Sequence, residues 1–120
     1  MASYVIQIPQ DSITDARKTA VEEAVRLAHA EITGTPRHVT KVEIVEVDSG
    51  CFYLHGRLLE CDHIFVHGVT VEDPRRDTWE ALEARIKSDV ATAADYAPES
   101  VIVTLSEIPS DQMRVSARTS

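Results

Sequence analysis

Few side chains in this sequence have the type and placement to do chemistry. His29 falls four residues after Val25 and three before Ile32. That is the border of an apolar helical stripe, where an imidazole either packs into the core or serves as an acid–base group. Arg75 and Arg76 follow Pro74 at the start of a second helical pattern. They either balance Glu72, Asp73 and Asp77 as solvated charges or bind an anion together with a helix N-terminus. Cys51, His55, Cys61 and His63 carry donor atoms suited to zinc. Their spacing fits no structural zinc pattern, and strand alternation sends several of them to opposite faces. No metal and no other cofactor is expected. His67 sits inside a β-prone block and reads as structural. The sequence holds no Gly-rich phosphate loop and no Ser-centred nucleophile elbow.

The elements that position these groups belong to a chain of 120 residues, which fits one domain spanning 1–120. Twenty acidic against twelve basic residues give a net charge of −8. That balance argues against nucleic acid and anionic membranes, both of which select a basic face. No apolar run approaches the roughly 18–20 residues of a membrane span. The start, MASYVIQIPQD, lacks the charged and apolar regions of a signal peptide, so a cytoplasmic location is expected. Two cysteines cannot frame a disulfide scaffold.

Tyr4 to Ile8 reads as a strand, and Thr14 is the candidate N-cap of a helix from Asp15 to about Ile32. Val21, Ala24, Val25, Ala28 and Ile32 form its apolar face. Gly34 stops this helix and Pro36 prevents a restart. A strand follows over Val39–Val47, and Asp48-Ser49-Gly50 signals a turn. Two β-prone segments come next, Cys51–Leu54 and His63–Val71. Glu72-Asp73-Pro74 caps a second helix marked by Trp79, Leu82, Ile86, Val90 and Ala93 and running to about Tyr96. Val101–Ile108 is the last long strand, and the tail from Gln112 to Ser120 is a weak edge strand or a loop.

A shift of 61 residues places Tyr4-Val5 on Phe65-Val66, Val21 on Leu82, Val25 on Ile86 and Val42-Glu43-Ile44 on Val103-Thr104-Leu105. Residues 4–47 and 63–108 thus form a pseudo-repeat of two strand–helix–strand units, whose crossovers join parallel strands right-handedly. The expected fold is α+β with βαβ repeats: one four-stranded mixed sheet with both helices on one face. The other face has no helix to cover it, and copies of the chain are the most economical cover.

The sequence resembles the tautomerase superfamily, specifically its cis-3-chloroacrylic acid dehalogenase group. The resemblance runs from Met1 to about Arg118. It rests on Tyr4, Gln10-Asp11, Thr14, Ala28-His29, Thr33-Gly34-Thr35, Ile64-Phe65-Val66-His67-Gly68, Arg85-Ile86, Asp89-Val90, and Glu107 with Pro109 and Gln112-Met113. It implies a tautomerase (MIF-like) fold and a homotrimer. It also implies an active site around an amino-terminal proline freed by removal of the initiator methionine. Here Ala2 stands at that position, while the family's helix histidine falls on His29 and its threonine on Thr35. The two arginines that hold a substrate carboxylate fall on Val71 and Pro74, the tyrosine of the last long strand on Thr104, and the water-activating glutamate on Val115.

Losing one general base or electrostatic clamp costs about 10²–10⁴ in rate. Their combined loss is expected to abolish dehalogenation. A methionine before alanine is usually removed, which would leave a primary amine at Ala2 titrating near 8 when unperturbed, or lower in an apolar pocket. The expectation is a small isomerase or tautomerase acting on an unsaturated or 2-oxo acid metabolite. Ala2 and His29 would be its catalytic residues, and Thr35, Arg75, Arg76, Thr104 and Arg118 would bind the small-molecule substrate. The alternative is a non-catalytic trimer that binds or scaffolds.

Overall fold

The computed structural model describes residues 2–36, 39–48, 50, 52–58, 62–71 and 76–108. Their order is β1 (Ala2–Pro9), α1 (Asp15–Thr33), β2 (Thr40–Val47), β3 (Tyr53–Leu54), β4 (Arg57–Leu58), β5 (Ile64–Val71), α2 (Arg76–Ala94), a 3₁₀ turn (Pro98–Ser100) and β6 (Val101–Ile108). The boundaries of α1 have local causes. The Thr14 hydroxyl accepts from the Arg17 amide, and Gly34, at φ 77°, donates its N–H back to the Ala30 carbonyl. The second helix ends at Ala94 rather than near Tyr96. Asp95 takes a left-handed conformation (φ 60°), and the Tyr96 amide turns back to the Ala91 carbonyl.

The main sheet has the order β2-β1-β5-β6, with parallel outer pairs and an antiparallel central pair. It is the expected four-stranded mixed sheet. Val21, Val25 and Ala28 of α1 and Leu82, Ile86 and Val90 of α2 bury their side chains against Tyr4, Ile6, Ile8, Ile64 and Val66. The sheet is therefore apolar where the helices lie, at about 1.5–3 kcal/mol for each large side chain taken from water. Arg85 ties the helices together by pairing with Glu31 of α1 and with Asp89 of its own helix.

The repeat is offset by 61 residues in the helices and in β2/β6, but by 62 in β1/β5. Equating Tyr4 with Phe65 is therefore a one-residue slip: Tyr4 faces the helices, whereas Phe65 lies on the opposite face. The connection from β1 to α1 holds one residue more than that from β5 to α2, and this absorbs the difference. A second departure lies at Cys51–Leu54. Among the described residues of that segment, Tyr53–Leu54 is the strand, and it pairs with Arg57–Leu58 across His55 and Gly56, both at positive φ. That is the geometry of a two-residue primed turn.

The sheet face away from the helices carries Val5, Val45, Phe65, His67, Val69 and Ile102. Phe65 stacks on Phe52 and on His67, and Val69 is 37% exposed. Both helices lie on the other side of the sheet, and Phe52, just before β3, reaches this face. Among the described residues, no helix is long and apolar enough to cross a membrane. The cap residues Glu72 to Pro74 and the tail from Gln112 lie outside the described residues.

Candidate active site

Strand register builds the site in two adjacent rows on the helix side. The first row runs Thr40, Ala2, Thr70, Glu107 across β2, β1, β5 and β6; the second runs Val42, Tyr4, Gly68, Leu105. Tyr4 is fully buried, and its ring lies directly over Gly68. A Cβ at Gly68 would stand 2.8 Å from Leu105 Cδ2 and closer still to the Tyr4 ring. This is a glycine required by close approach, not by backbone conformation.

That clearance lets the Tyr4 hydroxyl reach α1, where it lies 2.8 Å from Nδ1 of His29, with the two rings edge to face at 5.5 Å. His29 is 2% exposed. Burial, and secondarily the positive charge of the amino terminus, push its pKa down to about 4. The imidazole is therefore neutral at pH 7. Burial also pushes the Tyr4 phenol up, so it keeps its proton. Between a protonated phenol and a neutral ring the hydrogen bond can run either way; with the ring hydrogen on Nε2, Tyr4 O–H donates to Nδ1. In that tautomer His29 is a neutral donor, of the kind that can stabilise a developing enolate oxygen without delivering a full charge.

Of the seven residues expected at the site, Ala2 and His29 are both buried on the helix side of the sheet. Ala2 is 1% exposed, one strand position's alternation from Tyr4. Thr35 is half-buried just past the end of α1. Its hydroxyl lies 2.8 Å from that of Thr33, which itself donates to the His29 carbonyl. Thr35 thus braces the end of the helix that carries His29. Thr104 does not join them. It pairs with His67 on the face away from the helices, where its side chain is exposed, because alternation from Val103 and Leu105 turns it outward. Arg76 is the first residue of α2, and Arg75, Val115 and Arg118 lie outside the described residues.

At the Glu107 end of the first row, Trp79, Glu80 and Glu83 of α2 and Leu105 and Glu107 of β6 enclose a groove of about 270 Å³. Sequence reasoning did not assign roles to Tyr4 or Thr40. The usable signal for Tyr4 was a tyrosine on a strand's buried face, whose hydroxyl must find a partner. Nothing in the sequence marked Thr40. Among the described residues, no three His, Cys, Asp or Glu side chains gather as metal ligands.

No family model matches the chain, and no curated protein matches it. Solved structures do. The chain is similar to N1, a member of the cis-3-chloroacrylic acid dehalogenase family, at 26% identity and a TM-score of 0.86, over 97% of this chain and 81% of that one. A fused 4-OT described as a symmetric trimer follows at 22% identity, TM-score 0.84, over 95% and 91% of the two chains. FG41 malonate semialdehyde decarboxylase, inhibited by 3-bromopropiolate, matches at 16% identity and TM-score 0.80, over 95% and 88%. The tautomerase-superfamily resemblance read from the sequence is thus matched by structural neighbours of that superfamily.

Proposed function

We propose that this chain, which has the tautomerase-superfamily fold, is a small isomerase that interconverts the keto and enol forms of a 2-oxo acid such as an aryl- or alkenyl-pyruvate. In a chain whose first residue is Ala2, the α-amine relays the proton between carbon and solvent, while His29 Nε2–H holds the enolate oxygen. The observation that carries this reading is the buried Tyr4–His29 pair, 2.8 Å apart, beside the strand end where Ala2 lies. A neutral imidazole on the same side of the sheet as a buried strand end supports a proton relay by an amine at that end, since burial favours the neutral amine. Ketonisation needs no activated water, so it tolerates valine at position 115.

Dehalogenation does need that activation and a carboxylate clamp. With Val71, Pro74, Thr104 and Val115 at the corresponding positions, this reading includes no turnover of cis-3-chloroacrylate. The working form is a homotrimer, a reading supported by trimeric neighbours and by the uncovered sheet face. A direct test compares ketonisation of a phenylenolpyruvate by the chain starting at Ala2 and by the chain retaining Met1. Catalysis only by the former supports the reading, and equal rates at the buffer level refute it. One observation favours the non-catalytic alternative. Ala2 and His29 are almost closed to solvent, while the groove opens at the far end of the row, beside Glu107.

A further inference from the structure

The first residue of β2 has a side chain that the fold does not account for. Thr40 is 8% exposed and opens β2 directly opposite Ala2, in parallel register and on the same side of the sheet. Its Oγ1 is buried and has no hydrogen-bond partner among the described residues. Buried hydroxyls without partners are rare because each forfeits its hydration for nothing. Valine has the same branched shape, suits a strand equally well and carries no such liability. The hydroxyl is therefore left over from packing and β-propensity alike.

The missing partner has a natural source in the same row. A peptide nitrogen at Ala2 has one N–H, whereas an α-amine there has two or, when charged, three. Among the side chains of this row, Thr40 stands directly opposite Ala2 on β2 and Thr70 opposite it on β5, with Glu107 one strand further away. Thr70 and Glu107 each have an interaction of their own, so Thr40 is the hydroxyl of the row that a partner at Ala2 would satisfy.

We propose that the Thr40 hydroxyl is the hydrogen-bond partner of the α-amine in a chain whose first residue is Ala2, which makes Thr40 a positioning residue. Its importance for turnover rests on the proton-relay reading above; the hydrogen bond itself does not. As acceptor, the hydroxyl stabilises the ammonium form through a charge-assisted bond and turns the nitrogen to a fixed orientation.

The test is an NMR titration of the Ala2 amine, followed on its own methyl group, in the full chain prepared to begin at Ala2 and verified by intact mass. Thr40→Val is expected to lower the amine pKa by roughly one unit, the scale of one lost charge-assisted bond. Thr40→Ser is expected to leave it unchanged, and in the chain retaining Met1 neither variant shifts the terminal amine. Should Thr40→Val not fold, Thr40→Ala against Thr40→Ser gives the same comparison. A merely structural threonine would change the melting temperature without moving the titration, and that result overturns the proposal. The titration needs no turnover. If the amine shifts while ketonisation runs at the buffer rate, Thr40 keeps its partner and only the catalytic reading fails.

Discussion

At the scale of single residues, the Tyr4–His29 pair joins stability to protonation. The pKa of His29 is near 6.5 in the unfolded chain and about 4 in the folded one. Between those values the unfolded state binds more protons, so stability falls as the pH drops from about 6.5 to about 4 and levels off below. Denaturant unfolding measured across that window should show the loss, and His29→Gln should flatten it. Tyr4→Phe leaves Nδ1 buried without a donor and should cost about 1–3 kcal/mol, in the range of an unsatisfied buried group. It also releases the tautomer, so the loss in kcat should exceed any change in KM. His29 was legible in the sequence because helical spacing put it at the edge of the apolar face. Its partner was not, because a contact between residues 25 apart depends on how a helix lies across a strand.

At the scale of elements, Gly68 decides whether that contact can form. The Tyr4 ring occupies the place of a Gly68 side chain, so Gly68→Ala must push the ring off β5 or part the strands. The expected cost is about 1–3 kcal/mol, typical of overpacking, and calorimetry would measure it. With the ring displaced, the His29 titration seen by NMR should move back up toward its ordinary value. The helices, their caps at Thr14 and Gly34, and the last strand at Val101–Ile108 were legible because each has a local cause in spacing or capping. The β3–β4 hairpin was less so, since two-residue strands are too short to show alternation and the His55-Gly56 turn is their main signal. The register of β1 against β5 in the repeat was misread by one residue, because a short strand of apolar residues fits either face until the loop before the helix is counted.

At the scale of the whole molecule, a half-covered sheet is the dominant feature. Both helices lie on one side, and Val5, Phe65, Val69 and Ile102 lie on the other. Covering such a face with further copies follows from the cost of leaving apolar surface in water. Val69→Asp places a charge in the middle strands of that face and should convert a trimer to monomer at micromolar concentration in light scattering. A wild-type chain already monomeric under those conditions would remove this part of the account. The fold could be anticipated from alternation and repeat, whereas most of the site beyond His29 could not, because it assembles from the ends of four strands and one helix that no local pattern links.

The central claim is that the amine at Ala2, beside a neutral His29, moves the proton. The most direct measurement is the pH–rate profile of phenylenolpyruvate ketonisation by the chain with a mass-verified Ala2 terminus, before and after acetylation of that amine. The account predicts a rate that rises with pH through a single ionisation somewhat below about 8, as the amine becomes neutral, and that disappears on acetylation. A rate no faster than buffer across the whole profile, or one that survives acetylation unchanged, would contradict it.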